Sequence, residues 1–227
     1  PTLLCLGIAL PLLSACAGEN DEADTIADDE VGTDSTGESD TTGDEGPSRD
    51  ELIAELEALG PYEVGYKELE LAYLPPGASE ERVIKVLAWY PAIPDSGALP
   101  ASYAVAGIVN LPSPAALDAP PVSDAGPFPV VVYSHGSGGE GLLAYPYAER
   151  FASHGWITFS PSHAGNTAVD ALANKLDPFV IVAVNRPKDI SAILDEAAGG
   201  FEGDEVAQAT NLDSVFMFGH SFGGYTS

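Results

Sequence analysis

The sequence predicts an α/β protein built on a mostly parallel sheet with helices on both faces. Three observations carry that expectation. After an early pair of strand-like runs, apolar strands alternate with helical periodicities in the order β-α-β-α-β. Val130-Val131-Val132 is a continuous apolar stretch of the kind found where a strand is covered on both faces. Two glycine-bearing turns, at residues 135–139 and 219–223, each follow directly on an apolar strand.

Taken in order, residues 51–59 set Leu52, Ile53, Leu56 and Leu59 on one helical face, with Ser48 or Asp50 available as the cap. Residues 62–73 and 83–90 read as two strands separated by the turn Pro75-Pro76-Gly77-Ala78. Residues 128–134, 156–160 and 215–218 read as further strands. Helices are expected over 142–153 and over 187–198, the second with Ile190, Ile193 and Leu194 in period. Residues 92–127 are rich in Pro, Ala and Ser with little periodicity, and are expected to form a long loop, either functional or a surface insertion. Trp89 and Trp156 are expected in or near the core.

The N-terminal part has a different composition. Residues 3–13 form an apolar run too short to span a bilayer and of signal-peptide size. It leads into Leu13-Ser14-Ala15-Cys16, which resembles the lipobox of bacterial lipoproteins. Residues 1–15 are therefore expected to be a lipoprotein signal, with Cys16 lipidated and anchoring the protein to a membrane; a plain secretory signal is the alternative. Acyl chains contribute about 0.8 kcal/mol per buried CH₂, so several on one cysteine anchor firmly. Cys5 and Cys16 are the only cysteines, which leaves the mature chain without a disulfide and dependent on an ordinary core. Much of the net charge of −27 lies between residues 19 and 48, a tract of Asp, Glu, Thr, Ser and Gly without Lys or Arg. Such a tract buries too little apolar surface to offset its ordering entropy. Residues 16–47 read as an acidic disordered tether and 48–227 as the folded domain, exported and held at the bacterial envelope. Only 8 Lys and Arg are spread along the chain, which argues against nucleic acid as a partner.

The chemistry lies in the two turns. Gly219-His220-Ser221-Phe222-Gly223 is a G-x-S-x-G motif after the apolar run 215–218, the signature of a nucleophile elbow. Ser221 is expected to take a strained backbone conformation that lifts its hydroxyl out of the sheet, while Gly219 and Gly223 let strand and helix pass closely. A tetrahedral intermediate at that serine carries an oxyanion that needs two N–H donors. Phe222 supplies one by position. The other belongs to the turn after the third long strand, with Ser137 first and Gly136 next. His220 reads as part of the elbow rather than the base, and His135 as a hydrogen-bonding group that orders its loop. His163 and Asn166, beyond the carboxyl end of the strand at 156–160, are candidates for substrate contact. Arg186 and Asp189 read as a structural ion pair or a helix cap.

The stretches 130–136, 152–156, 162–167, 186–190 and 219–224, with Leu87-Ala88-Trp89-Tyr90-Pro91-Ala92, resemble the bacterial platelet-activating-factor acetylhydrolase and predicted dienelactone hydrolase group. The resemblance covers residues 62–227. It implies an α/β-hydrolase fold and a serine carboxylesterase without metal or organic cofactor, acting on a small-molecule or lipid ester. True dienelactone hydrolases use cysteine where this chain has Ser221. None of the chain's histidines (His135, His154, His163 and His220) follows Ser221. The family's acid and histidine are therefore expected beyond Ser227, the fold to be incomplete after the elbow, and the sheet to show an apolar edge. A non-catalytic lipoprotein on the same fold, a thioesterase and a peptidase are the alternatives.

Overall fold

The computed structural model describes residues 46–227; the expected signal, Cys16 and nearly all of the acidic tether lie outside them. The described chain opens with helix α1 (Arg49–Glu57), capped by Ser48. The Ser48 hydroxyl accepts the Glu51 N–H (3.3 Å) and the Glu51 carboxylate accepts the Ser48 N–H (2.8 Å), a reciprocal capping box.

Strands β1 (Glu63–Tyr73) and β2 (Arg82–Ala92) form an antiparallel pair, in register from Glu63 opposite Ala92 to Tyr73 opposite Arg82. Strand β6 (Ile157–Ser162) lies antiparallel to β2, β5 (Phe128–Ser134) parallel to β6, and β7 (Thr210–Gly219) parallel to β5. Residues 92–127 are not the expected loop. They contain β3 (Pro100–Val105) and β4 (Val109–Leu117), an antiparallel hairpin whose second strand pairs in parallel with β1. Ala106 and Gly107 both have positive φ, and the Ile108 N–H closes the turn on the Val105 carbonyl. An alanine at a position usually held by Asn, Asp or Gly hides that turn, and Pro112 and Pro114 inside β4 hide the strand. The sheet order is β3-β4-β1-β2-β6-β5-β7. β1, β4, β5, β6 and β7 run one way, β2 and β3 the other, so the sheet is mostly parallel as expected.

Alternation along β5 divides the core. Val130 and Val132 face a cluster with Ile157, Phe159, Ile190, Ile193 and Phe201, while Tyr133 faces Trp89, Ala148 and Ala152 on the other side. Helix α4 (Phe179–Gly199) covers the first face and α2 (Tyr145–Ser153) the second; α3 (Ala168–Leu172) and α5 (Glu205–Gln208) are short helices in the connections. Trp89 is fully buried and donates its indole N–H to Tyr103 (2.9 Å), whereas Trp156 is half-buried between Phe151 and Phe216. Helix α4 starts well before residue 187. Pro187, which suggests a first turn, lies within the helix instead, where it forgoes one i→i−4 hydrogen bond. Strand β7 stands at the sheet edge among the described residues, with Phe216 56% exposed.

Candidate active site

Strand β7 ends at Gly219 and helix α6 (Phe222–Thr226) begins three residues later, with Ser221 at the tip of the turn between them. Ser221 has φ 52° and ψ −117°, the strained conformation expected of the elbow, and its side chain is exposed. Three hydrogen bonds hold the turn: His220 N–H to the Ser134 carbonyl (3.1 Å), Gly223 N–H to the His220 carbonyl (2.8 Å) and Gly224 N–H to the Ser221 carbonyl (2.9 Å). A Cβ on Gly219 would collide with the Gly223 carbonyl group, and one on Gly223 would land on the Ser134 carbonyl oxygen. Strand, helix and neighbouring strand are thus packed at glycine distance.

The turn after β5 meets the elbow. A Cβ on Gly136 would stand 3.5 Å from the Ser221 Cβ and 3.0 Å from His220 Nδ1. Among the described residues, neither the Ser137 nor the Phe222 N–H has a hydrogen-bond acceptor. The Gly136 carbonyl, in the same peptide unit as the Ser137 N–H, accepts from Gly139 N–H (3.0 Å) and from His135 Nδ1 (2.7 Å). The tautomer follows from the other nitrogen. His135 Nε2 receives the His163 backbone N–H (3.1 Å), a group that can only donate, so the ring proton sits on Nδ1. Burial, and next the adjacent His163, push His135 down to about 3, which keeps it neutral. Two donors on one carbonyl polarise that peptide and strengthen the Ser137 N–H as a donor.

His163 and Asn166 take different places. His163 is fully buried: Nδ1 donates to Asp189 (2.7 Å), and Nε2 accepts the Ser134 hydroxyl (3.0 Å). The expectation that it touches substrate is corrected, because both ring nitrogens are spent inside the protein. Ser134, His163 and Asp189 reproduce the spacing of an acyl-transfer triad, yet all are sealed from solvent, so no ester can reach them. Asn166 is buried but lines the cavity beside Ser221. Its amide donates to Ser137 Oγ (3.1 Å) and its oxygen accepts Arg186 Nη1 (3.0 Å).

Arg186 and Asp189 form neither the mutual ion pair nor the cap that the sequence suggests. Both point inward from the middle of α4. Asp189 accepts from Arg82 Nε (2.6 Å) and Nη2 (2.9 Å), from the Tyr73 hydroxyl (2.5 Å) and from His163. Burial raises its carboxyl, but the His163 and Arg82 hydrogen bonds outweigh that and hold it below the usual range. Burial likewise lowers His163, to about 4. Sequence reasoning missed the roles of Ser134, Arg82 and Tyr73. The available signal was a pair of charges on an apolar stripe, since Val182, Arg186, Asp189, Ile190 and Ile193 share one buried face of α4.

Beside Ser221 opens a cavity of about 380 Å³, lined by Ser137, Asn166 and Phe222 with walls from Leu176, Phe179 and Val182. Phe179 and Phe222 meet edge to face at 5.4 Å. Among the described residues no histidine hydrogen-bonds the Ser221 hydroxyl; His154 lies elsewhere, against the Ala58 carbonyl.

No family model matches this sequence, and no curated protein does. Among solved structures, the chain is similar to a ferulic acid esterase from Streptomyces cinnamoneus, at 24% identity and a TM-score of 0.59, over 75% of this chain and 56% of that one. A bacterial heroin esterase is matched at 19% identity and a TM-score of 0.42, over 78% and 42%. The chain therefore spans about half the length of these proteins. With the strand order and the elbow, the likeness to the ferulic acid esterase establishes an α/β-hydrolase fold.

Proposed function

We propose that this protein is a serine-dependent carboxylic ester hydrolase working through an acyl-enzyme. One observation carries the reading: an exposed, strained Ser221 stands beside two peptide N–H groups, Ser137 and Phe222, that have no acceptor within the described residues. Ser221 Oγ attacks the ester carbonyl carbon while its proton passes to a histidine base. The Ser137 and Phe222 N–H groups receive the oxyanion. The tetrahedral species collapses, the alcohol leaves with the proton, and water repeats the sequence to release the acid. The buried, neutral His135 and His163 cannot serve as that base. In the chain order of this fold, serine then acid then histidine, that base follows Ser221. The apolar walls of the cavity suit an apolar acyl or alcohol group. Membership of the platelet-activating-factor acetylhydrolase and dienelactone hydrolase-like group, and an extracytoplasmic site anchored through Cys16, complete the proposal.

The test is hydrolysis of p-nitrophenyl acetate by the intact protein and by Ser221→Ala. The expected result is loss of turnover by at least about 10³-fold in the variant. An unchanged rate would refute the assignment.

A further inference from the structure

We infer that Arg186 is a positioning residue that fixes both oxyanion donors with one buried, carboxylate-free guanidinium. The inference rests on the serine-hydrolase reading of Ser221. Arg186 is fully buried and reaches both halves of the site. On the loop side, Nη2 donates to the Ser134 hydroxyl (2.8 Å) and to the His135 carbonyl, and Nη1 donates to Asn166 Oδ1 (3.0 Å). Asn166 passes the constraint on by its bond to Ser137 Oγ (3.1 Å). On the elbow side, the guanidinium carbon lies 5.0 Å from the centre of the Phe222 ring. One planar group thus touches the residues that carry, or directly hold, the Ser137 and Phe222 N–H donors.

The charge is placed unusually. Every acceptor of Arg186 is neutral: a carbonyl, a hydroxyl and an amide oxygen. Among the described residues no carboxylate lies within ion-pair distance of it. Asp189, less than one turn along the same helix, is taken by Arg82 and His163. Arg186 Nε is buried with no hydrogen-bond partner. Burial lowers this arginine to about 10, so it remains charged at neutral pH. A buried cation with no carboxylate in contact, eased only at longer range by the charge of Asp189, is costly to the fold. Here it lies behind the two N–H groups at which an ester oxygen would become negative, where a positive charge favours the tetrahedral species over the neutral ester.

The experiment compares Arg186→Met, Arg186→Lys and Ser221→Ala in the intact protein. It measures kcat per titrated active site, KM, and the affinity of a trifluoromethyl ketone that adds to serine as an anionic hemiketal. Both Arg186 variants are expected to lose about 10- to 100-fold in kcat, somewhat less than deletion of a direct donor, with KM within about threefold. Ketone affinity should fall in parallel. Lysine should not rescue, because a point charge cannot span three acceptors and a ring face. A purely structural arginine would lower the melting temperature and the number of active sites while leaving kcat per site intact; that result overturns the inference. If Arg186→Met does not fold, Phe222→Leu decides. It removes the ring but keeps the N–H and the arginine fork, so an unchanged kcat overturns the clamp and a several-fold loss at constant KM supports it. Turnover retained by Ser221→Ala would bring down the serine reading and this inference together. An inactive Ser221→Ala beside fully active Arg186 variants would bring down the inference alone.

Discussion

Lowering the pH from 7 to 5 should destabilise this protein well before its carboxylates titrate. His135 and His163 are both fully buried, and burial lowers them to about 3 and about 4. In the unfolded chain each returns to about 6.5. Between pH 6.5 and the folded values, the unfolded state therefore binds more protons than the native state, and stability falls as pH falls. At pH 5 the unfolded chain gains about 2 kcal/mol from protonating each histidine, so the pair costs the fold roughly 4 kcal/mol relative to pH 7. The hydrogen bonds point the same way. Protonating His135 Nε2 would set one N–H against another, the backbone N–H of His163. Asp189 acts in a different window. Its carboxyl is held below the ordinary range, so its contribution is intact at pH 5 and is lost only as pH drops below about 4. The assay is urea unfolding followed by circular dichroism at pH 7, 6 and 5. The expected result is a steady decline whose slope approaches two protons taken up on unfolding near pH 5. A stability that stays within about 1 kcal/mol down to pH 5, then collapses below pH 4, would show that the histidines are not neutral passengers of the fold and refute the reasoning.

Two further outcomes follow from the packing. Gly223→Ala forces a methyl group onto the Ser134 carbonyl oxygen, so the elbow must shift; ester turnover should drop by at least about 10²-fold, measured as kcat/KM, and retained activity would mean that the turn is softer than its contacts imply. Asp189→Ala strips the carboxylate from Arg82, Tyr73 and His163 at once; urea unfolding at pH 7 should show a loss of about 3–5 kcal/mol, and a loss under about 1 kcal/mol would mean that the network relaxes freely.

The strands that position the site were legible because local pattern and burial agree there. Residues 128–134 are apolar, β-branched and covered on both faces, and the expected bounds of β5 match those observed. The elbow was legible for a different reason: Gly219 and Gly223 have no freedom to be anything larger, so the constraint is written in residue type. The hairpin at 100–117 was hidden because, Tyr103 apart, its buried residues are small, Ala101, Ser113 and Ala115, and its turn uses alanine at positive φ. Helix α4 was read short because Pro187 and the all-apolar run 179–182 imitate a boundary. His163 was misplaced for a tertiary reason. A polar residue at the carboxyl end of a strand faces ligand or neighbouring helix according to what packs above it, and here α4 arrives with Asp189 and closes over the ring. Nothing within residues 157–166 encodes that arrival.

Ser134 shows why the sealed network and the open elbow belong to one device. Its carbonyl accepts the His220 N–H and limits residue 223 to glycine, while its hydroxyl donates to His163 and receives Arg186. A serine held at φ 52° stores strain on the order of 1–3 kcal/mol, and such strain persists only where the surroundings over-determine it. A residue without a hydroxyl at 134 could keep the strand and the carbonyl attachment but not the bonds to His163 and Arg186. The directed chain from Arg186 through Ser134 and His163 ends on Asp189, which also accepts from Arg82 and Tyr73, and so ties the last residue of β5 to α4 and to the β1–β2 pair. The elbow is strained against that anchor. A triad-like constellation is therefore retained out of reach of any ester: its hydrogen bonds have fixed direction, and what they fix is the floor on which the exposed serine stands.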